Sequence, residues 1–159
     1  MAEGGTNDFL ADVVGMTSRR PLRPSSLDGA GGTGMGRVGA LAPSPVRALI
    51  ARAKAALAIE RVLVAGPIER DVTTAAVCAG SGGEFLGDAL QAGAQLYLTG
   101  ELRHHDALRA AAAGLTVVCA LHSASERAAL VPLAHRLIER LPGVVVTRSV
   151  ADREPFSIV

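Results

Sequence analysis

The chain has 159 residues, 49% of them hydrophobic and 19% charged, enough for one domain, or one lobe of a larger subunit, to bury a real core. Aromatic residues make up only 3% and the net charge is +1, which argues against the stacking platforms and basic surfaces that take nucleic acid. No secretory leader and no bilayer-length apolar run is visible, so the expectation is a cytoplasmic protein without a membrane partner.

Met1 to Gly5 reads as a frayed start. Asn7-Asp8 suits the cap of a short helix over Phe9, Leu10, Val13 and Val14, closed by Gly15. Thr17 to Gly36, rich in Pro, Ser and Gly, reads as linker or extended loop. The glycines of Gly34-Met35-Gly36-Arg37-Val38-Gly39 follow no strand and have the wrong spacing for a dinucleotide loop. Ser44-Pro45 opens a helix whose apolar stripe is Val46, Leu49, Ile50, Ala53 and Leu57. Arg61 to Ala65 is a strand that Pro67 ends.

A regular alternation follows. Strands are expected over Thr74–Ala79, Gln95–Thr99 and Leu115–Ala120, and helices over Glu84–Ala92, Arg103–Ala113 and Ser123–Leu141. Val144 to Thr147 reads as a last strand. Short loops between alternating elements predict an α/β fold, a mainly parallel sheet with helices on both faces. Cys78 and Cys119 each end an apolar run and read as buried small hydrophobes in a reducing compartment.

In such a sheet, ligands bind beyond the carboxyl ends of the strands. Three loops leave those ends. Gly80-Ser81-Gly82-Gly83 could offer bare amides to a phosphate or carboxylate, or it could be a tight turn with Ser81 and Glu84 as a capping box. Thr99 to Asp106 carries Glu101, His104, His105 and Asp106. His105 with Asp106 suits proton transfer, and equally a polar first helical turn. The third loop is Leu121-His122-Ser123-Ala124-Ser125-Glu126. His122 and Glu126 lie four apart, on one helical face, as two metal ligands would. Ser123 and Glu126 also fit a capping box. Two side chains are half a zinc-type site, to be completed by His105, Cys119, water or another polypeptide. His135, mid-helix among apolar residues, carries no expected role.

Ala79 to Gly82, Tyr97 to Ala107, Leu121 to Arg127 and Asp152-Arg153-Glu154-Pro155-Phe156 occur in an order and spacing that resemble one family. It is the carboxyl-terminal half of the Nif-three-like dinuclear-metal-centre proteins, often labelled type 2 GTP cyclohydrolase I homologues. Gly36 to Gly39 and Gly4 to Asp8 look like that family's middle segment. The resemblance implies two similar α/β lobes and a hexameric toroid whose metal sites face an inner cavity. It places residues 1–43 as linker and partial inter-lobe segment, and 44–159 as the carboxyl-terminal lobe. His122 and Glu126 become ligands of a divalent ion (zinc, iron or manganese), and Glu101 and His105 become supporting or catalytic groups. The implied reaction is metal-dependent hydrolysis of a purine nucleotide, the ring opening of GTP. In the family, a His-His pair and an Asp from the amino-terminal lobe complete the site. No His precedes His104 here, and Glu154 stands where the family usually has Asp. The expectation is an incomplete site, served by an amino-terminal lobe in trans, in a truncated relative, a separately encoded lobe or a chain with a misplaced start. The competing expectation is a non-catalytic assembly module that binds an anion at Gly80, Ser81, Gly82 and Gly83.

Overall fold

A computed structural model describes residues 4–26 and 32–156. Helix α1 (Thr6–Val14) comes first and ends at Gly15, whose φ of +74° makes the left-handed C-cap. Strand β1 (Thr17–Arg20) is followed by the two-residue strands β2 (Arg23–Pro24) and β3 (Gly34–Met35), which pair with each other. Strand β4 (Arg37–Pro45) runs into α2 (Val46–Leu57), and β5 (Leu63–Ala65) follows. The long strand β6 (Asp71–Ser81) leads through a 3₁₀ turn (Gly83–Phe85) to α3 (Leu86–Gln91). Then come β7 (Leu96–Glu101), α4 (His104–Ala112), β8 (Thr116–Cys119), α5 (His122–Arg127) and α6 (Leu130–Arg140). No helix among the described residues is long and apolar enough to cross a membrane.

The main sheet has six strands in the order β1-β4-β6-β7-β8-β5. Its centre, β6-β7-β8, is parallel, and β4 and β5 flank it in antiparallel sense. The α/β architecture with helices on both faces is as expected from the alternating pattern. The period of two along each strand sorts the core into two layers. Ala75, Val77, Leu96, Leu98 and Val118 face α1 and α2, where Leu10, Val14, Val46, Leu49 and Leu57 meet them. Ala76, Cys78, Tyr97 and Val117 face the other way, onto Phe85, Leu86 and Ala89 beside α3 and Ala110 of α4. The first layer is aliphatic, and the second adds two aromatics, Phe85 and Tyr97, to its small and aliphatic side chains.

Several boundaries differ from the expectation. Part of the stretch read as linker is sheet: β1 pairs with β4, and β4 pairs with β6 from Arg37↔Val77 to Pro45↔Asp71. A boundary at residue 43 falls inside β4. Asn7 and Asp8 are not caps but buried first-turn residues. Asn7 Oδ1 accepts the Ala79 amide at 2.8 Å, and Asp8 takes the Gly4 amide and the Arg37 guanidinium. Burial alone would raise the Asp8 carboxyl, but Arg37, Gly4 and Arg19 hold it below the usual range.

The long helix expected over Ser123–Leu141 is two helices, α5 and α6. Pro132 explains the break. Its ring would clash with the Ala128 carbonyl in a continuous helix, and it sits comfortably in the first turn of a new one. Val144–Thr147 forms no strand: among the described residues it pairs with none of the six strands, and β5 holds the place beside β8. Met1 to Glu3 and the last three residues of the tail lie outside the described residues, as do the glycines of 27–31.

Candidate metal centre

The carboxyl ends of β6, β7 and β8 converge on one rim. β6 arrives with an irregularity: Cys78 pairs with Thr99 and Ser81 with Glu101, so Ala79 and Gly80 on β6 stand against Gly100 alone on β7. The extra residue is a bulge, and Gly80 within it has a φ of +70°. β8 arrives at Leu121, whose φ of 69° and ψ of 148° lie in a region that glycine normally occupies. That strained corner turns the chain straight into α5, which begins at His122.

The rim assembles His122, Glu101 and Glu126. His122 Nδ1 lies 3.0 Å from Glu101 Oε1, and Nε2 lies 3.7 Å from Glu126 Oε1. Beneath them is bare backbone. A Cβ at Gly80 would stand 2.8 Å from Glu126 Oε1 and 3.2 Å from His122 Nε2. A Cβ at Gly100 would stand 2.5 Å from the Gly80 carbonyl oxygen and 2.9 Å from His122 Cα. Two glycines therefore let the imidazole and carboxylate settle against the strand ends. Behind the ring, the Ser123 hydroxyl donates to Glu154 Oε2, and Arg127 Nε donates to Asp152 at 2.8 Å.

Negative charge dominates the surroundings of the ring. The hydrogen bond to Glu101 raises the His122 pKa above the ordinary histidine value; partial burial opposes this, and the charges of Glu126 and Glu154 add to it. The two thiols behave differently: burial pushes Cys78 and Cys119 each up to about 11, so neither is a ready thiolate donor.

The capping boxes are not formed. The N-cap of α5 is Leu121, without a side-chain cap, and Ser123 bonds Glu154 while Glu126 faces His122. The 3₁₀ turn has Gly82 as its N-cap, so Ser81 caps nothing, because the bulge carries β6 through Ser81. Of the four residues expected to cradle an anion, Gly80 has given its amide to Ser125 Oγ at 2.8 Å. Gly82 is buried with its carbonyl on the Tyr97 hydroxyl, while Ser81 and Gly83 line a cleft of about 710 Å³ with Glu84, Glu101, Leu102 and Arg103. His105 is exposed on α4, with Nε2 3.7 Å from Asp106 Oδ1, and takes its interaction there rather than at His122.

A histidine that binds a metal through one ring nitrogen commonly donates the other to a carboxylate, which fixes ring and tautomer. Glu101 stands in that relation to His122 and leaves Nε2 turned toward Glu126. The donor pair and the glycine shelf thus fit one side of a cation site. Among the described residues, no group of three or more His, Cys, Asp or Glu side chains is placed to hold a metal ion by itself. Ser125, whose Oγ accepts the Gly80 amide and donates to the His122 carbonyl, had no role in the sequence reading. Its position three residues after His122, where a hydroxyl can bond back along a helix, was the available signal.

A parallel-centred sheet with its polar residues on the loops beyond the strand ends defines an α/β protein with a rim site. The chain belongs to the Duf34/NIF3 (NGG1p interacting factor 3) family, whose model matches residues 1–155. It is 39% identical over 129 residues to a Streptomyces coelicolor protein named GTP cyclohydrolase 1 type 2 homolog, covering 79% of this chain and 45% of that one. It is 35% identical over 133 residues to the protein NIF3 homolog of Schizosaccharomyces pombe, covering 79% and 47%. A Bacillus cereus protein related to NIF3 shares the fold, with a TM-score of 0.81 at 17% identity over 99% of this chain and 70% of that one. The chain thus spans about half the length of the Streptomyces coelicolor and Schizosaccharomyces pombe relatives.

Proposed function

We propose that this chain binds a divalent metal ion through His122 and Glu126 and serves a hydrolase of the type 2 GTP cyclohydrolase I kind, acting on a purine nucleotide. The observation that carries the reading is the single arrangement Glu101–His122–Glu126 on a glycine shelf. Names given to relatives such as the Streptomyces coelicolor protein support the reaction class. The ion, whether zinc, iron or manganese, would supply Lewis acidity and a water of lowered pKa. This chain's residues do the rest. Glu101 holds the imidazole with Nε2 outward, and Glu126 adds charge for a cation. Of the two proton carriers, Glu101 has the stronger claim, since it touches the ring while His105 pairs with Asp106.

Zinc-type sites take about four ligands. The others are proposed to come from another polypeptide, an amino-terminal lobe in trans or further copies in a homo-oligomer. Metal analysis after dialysis against zinc or manganese tests the reading. Wild-type protein is expected to retain metal and His122→Ala to lose it; equal background in both overturns it. The lack of a three-donor cluster among the described residues favours a second reading, a non-catalytic assembly module. Turnover of GTP by the metal-loaded chain rules that reading out.

A further inference from the structure

We propose that Ser125 is the positioning residue of this rim: its buried hydroxyl locks the His122 corner onto the end of the central strand. The inference rests on the metal-site reading only for its consequence, not for its geometry.

The Ser125 side chain is fully buried. Its Oγ accepts the Gly80 amide at 2.8 Å and donates to the His122 carbonyl at 2.7 Å. One hydroxyl therefore joins two separate elements, the bulge of β6 and the first turn of α5. Both bonds answer a need created by irregular backbone. The bulge disrupts the ladder at Gly80, between the pairs Cys78↔Thr99 and Ser81↔Glu101. A buried amide left without an acceptor is costly. The His122 carbonyl follows Leu121, whose dihedrals resist any non-glycine residue. Strain of that kind persists only where the surroundings over-determine the backbone.

The third loop closes the arrangement. A Cβ on Gly100 would stand 2.8 Å from Ser125 Oγ. Thr99 Oγ1 donates to the Gly80 carbonyl at 3.3 Å, so Gly80 is held on both its amide and its carbonyl. Because the imidazole and the Glu126 carboxylate rest directly above Gly80, fixing Gly80 against His122 fixes the floor against the donors. Ser125 touches neither the ring nor any ion; it acts through backbone alone. Alanine at 125 would leave the Gly80 amide buried and unpaired and the Leu121 corner unsupported. The ring would then leave its single orientation toward Glu101.

The test reads the ring itself, without metal. In long-range ¹H–¹⁵N spectra above its pKa, wild-type His122 is expected as the Nδ1–H tautomer, set by Glu101. Ser125→Ala is expected to shift His122 to the mixed tautomer pattern of a free imidazole. Ser125→Thr, which keeps the hydroxyl, is expected to restore the wild-type pattern. In parallel, Co²⁺ titration is expected to show affinity about tenfold weaker in Ser125→Ala, in the range that loss of supporting groups behind metal ligands produces. Should Ser125→Ala not fold, Ser125→Cys keeps the site filled with a slightly larger, poorly hydrogen-bonding atom and is expected to give the free-imidazole pattern. A wild-type tautomer pattern in the Ala or Cys protein, or failure of Thr to restore it, overturns the proposal. Absence of Co²⁺ binding by wild-type protein overturns the metal reading instead, and the tautomer comparison still decides the role of Ser125.

Discussion

Two ends of this chain are built on opposite principles. The rim around Gly80, Gly100 and Ser125 is buried backbone tied by single, well-placed bonds. The arm that follows it, α6 and residues 141–156, is amphipathic yet has no buried residue in its helix. Leu130, Leu133, Leu137 and Ile138 remain partly exposed, and the first three line a groove of about 620 Å³ together with Val146 to Val150. The rim lies where three strands end, and its buried Gly80 amide and Ser125 hydroxyl are partnered inside the fold. The arm touches the body through a few polar links, among them Arg136 to the Gly4 carbonyl at 2.7 Å. Geometry comes from burial at one end and is nearly free of it at the other.

The sharpest way to break this contrast is to attack the buried anchoring behind the rim. Arg37 Nε holds Asp8 at 2.6 Å with both side chains only 6% exposed. Arg37→Ala leaves the buried Asp8 carboxylate with only the Gly4 amide and the more distant Arg19, in the helix that also binds the Ala79 amide through Asn7. The expected loss is about 3–5 kcal/mol, read as the shift in urea midpoint.

A smaller effect sharpens the electrostatics of the rim. Because His122 titrates higher in the folded state, its contribution to stability is fully present below its unfolded value of about 6.5 and fades as pH rises through the folded value. Glu101→Gln is expected to bring the His122 titration down toward the ordinary value by NMR and to flatten that acid-side gain. Metal uptake runs the opposite way, growing as pH rises and the ring loses its proton.

The smallest effect belongs to the arm. Ile138→Ala is expected to change stability by no more than about 0.5 kcal/mol, since the side chain is 52% exposed. A loss of several kcal/mol in the same urea experiment would show that the arm is covered in solution.

Legibility followed the same division. The central strands announced themselves as apolar runs, and the i, i+4 spacing of His122 and Glu126 was visible in the chain. Glu101 as the partner of the His122 ring was not, because the contact spans 21 residues and depends on the register of β7 against β8. β4 was hidden by Gly39, Pro43 and Pro45, which speak for loop locally, while its pairing with β6 is long-range. Val144 to Val146 shows the converse. A β-branched run becomes a strand only when the fold lays it along an edge, and the path of the chain after α6 does not bring this one to β5 or β1. Pro132 carried the break in the last helix, and its weight depends on where the preceding helix starts.

The bulge in β6 shows that chain length, not only residue identity, encodes this rim. Remove one residue between Cys78 and Ser81 and the ladder with β7 could run without a gap, each amide meeting its neighbour. The healed sheet would be the more regular object, yet the flat platform under the imidazole would vanish with the irregularity. An insertion-deletion event at that point would therefore mend the architecture and remove the seat of the proposed site in one stroke.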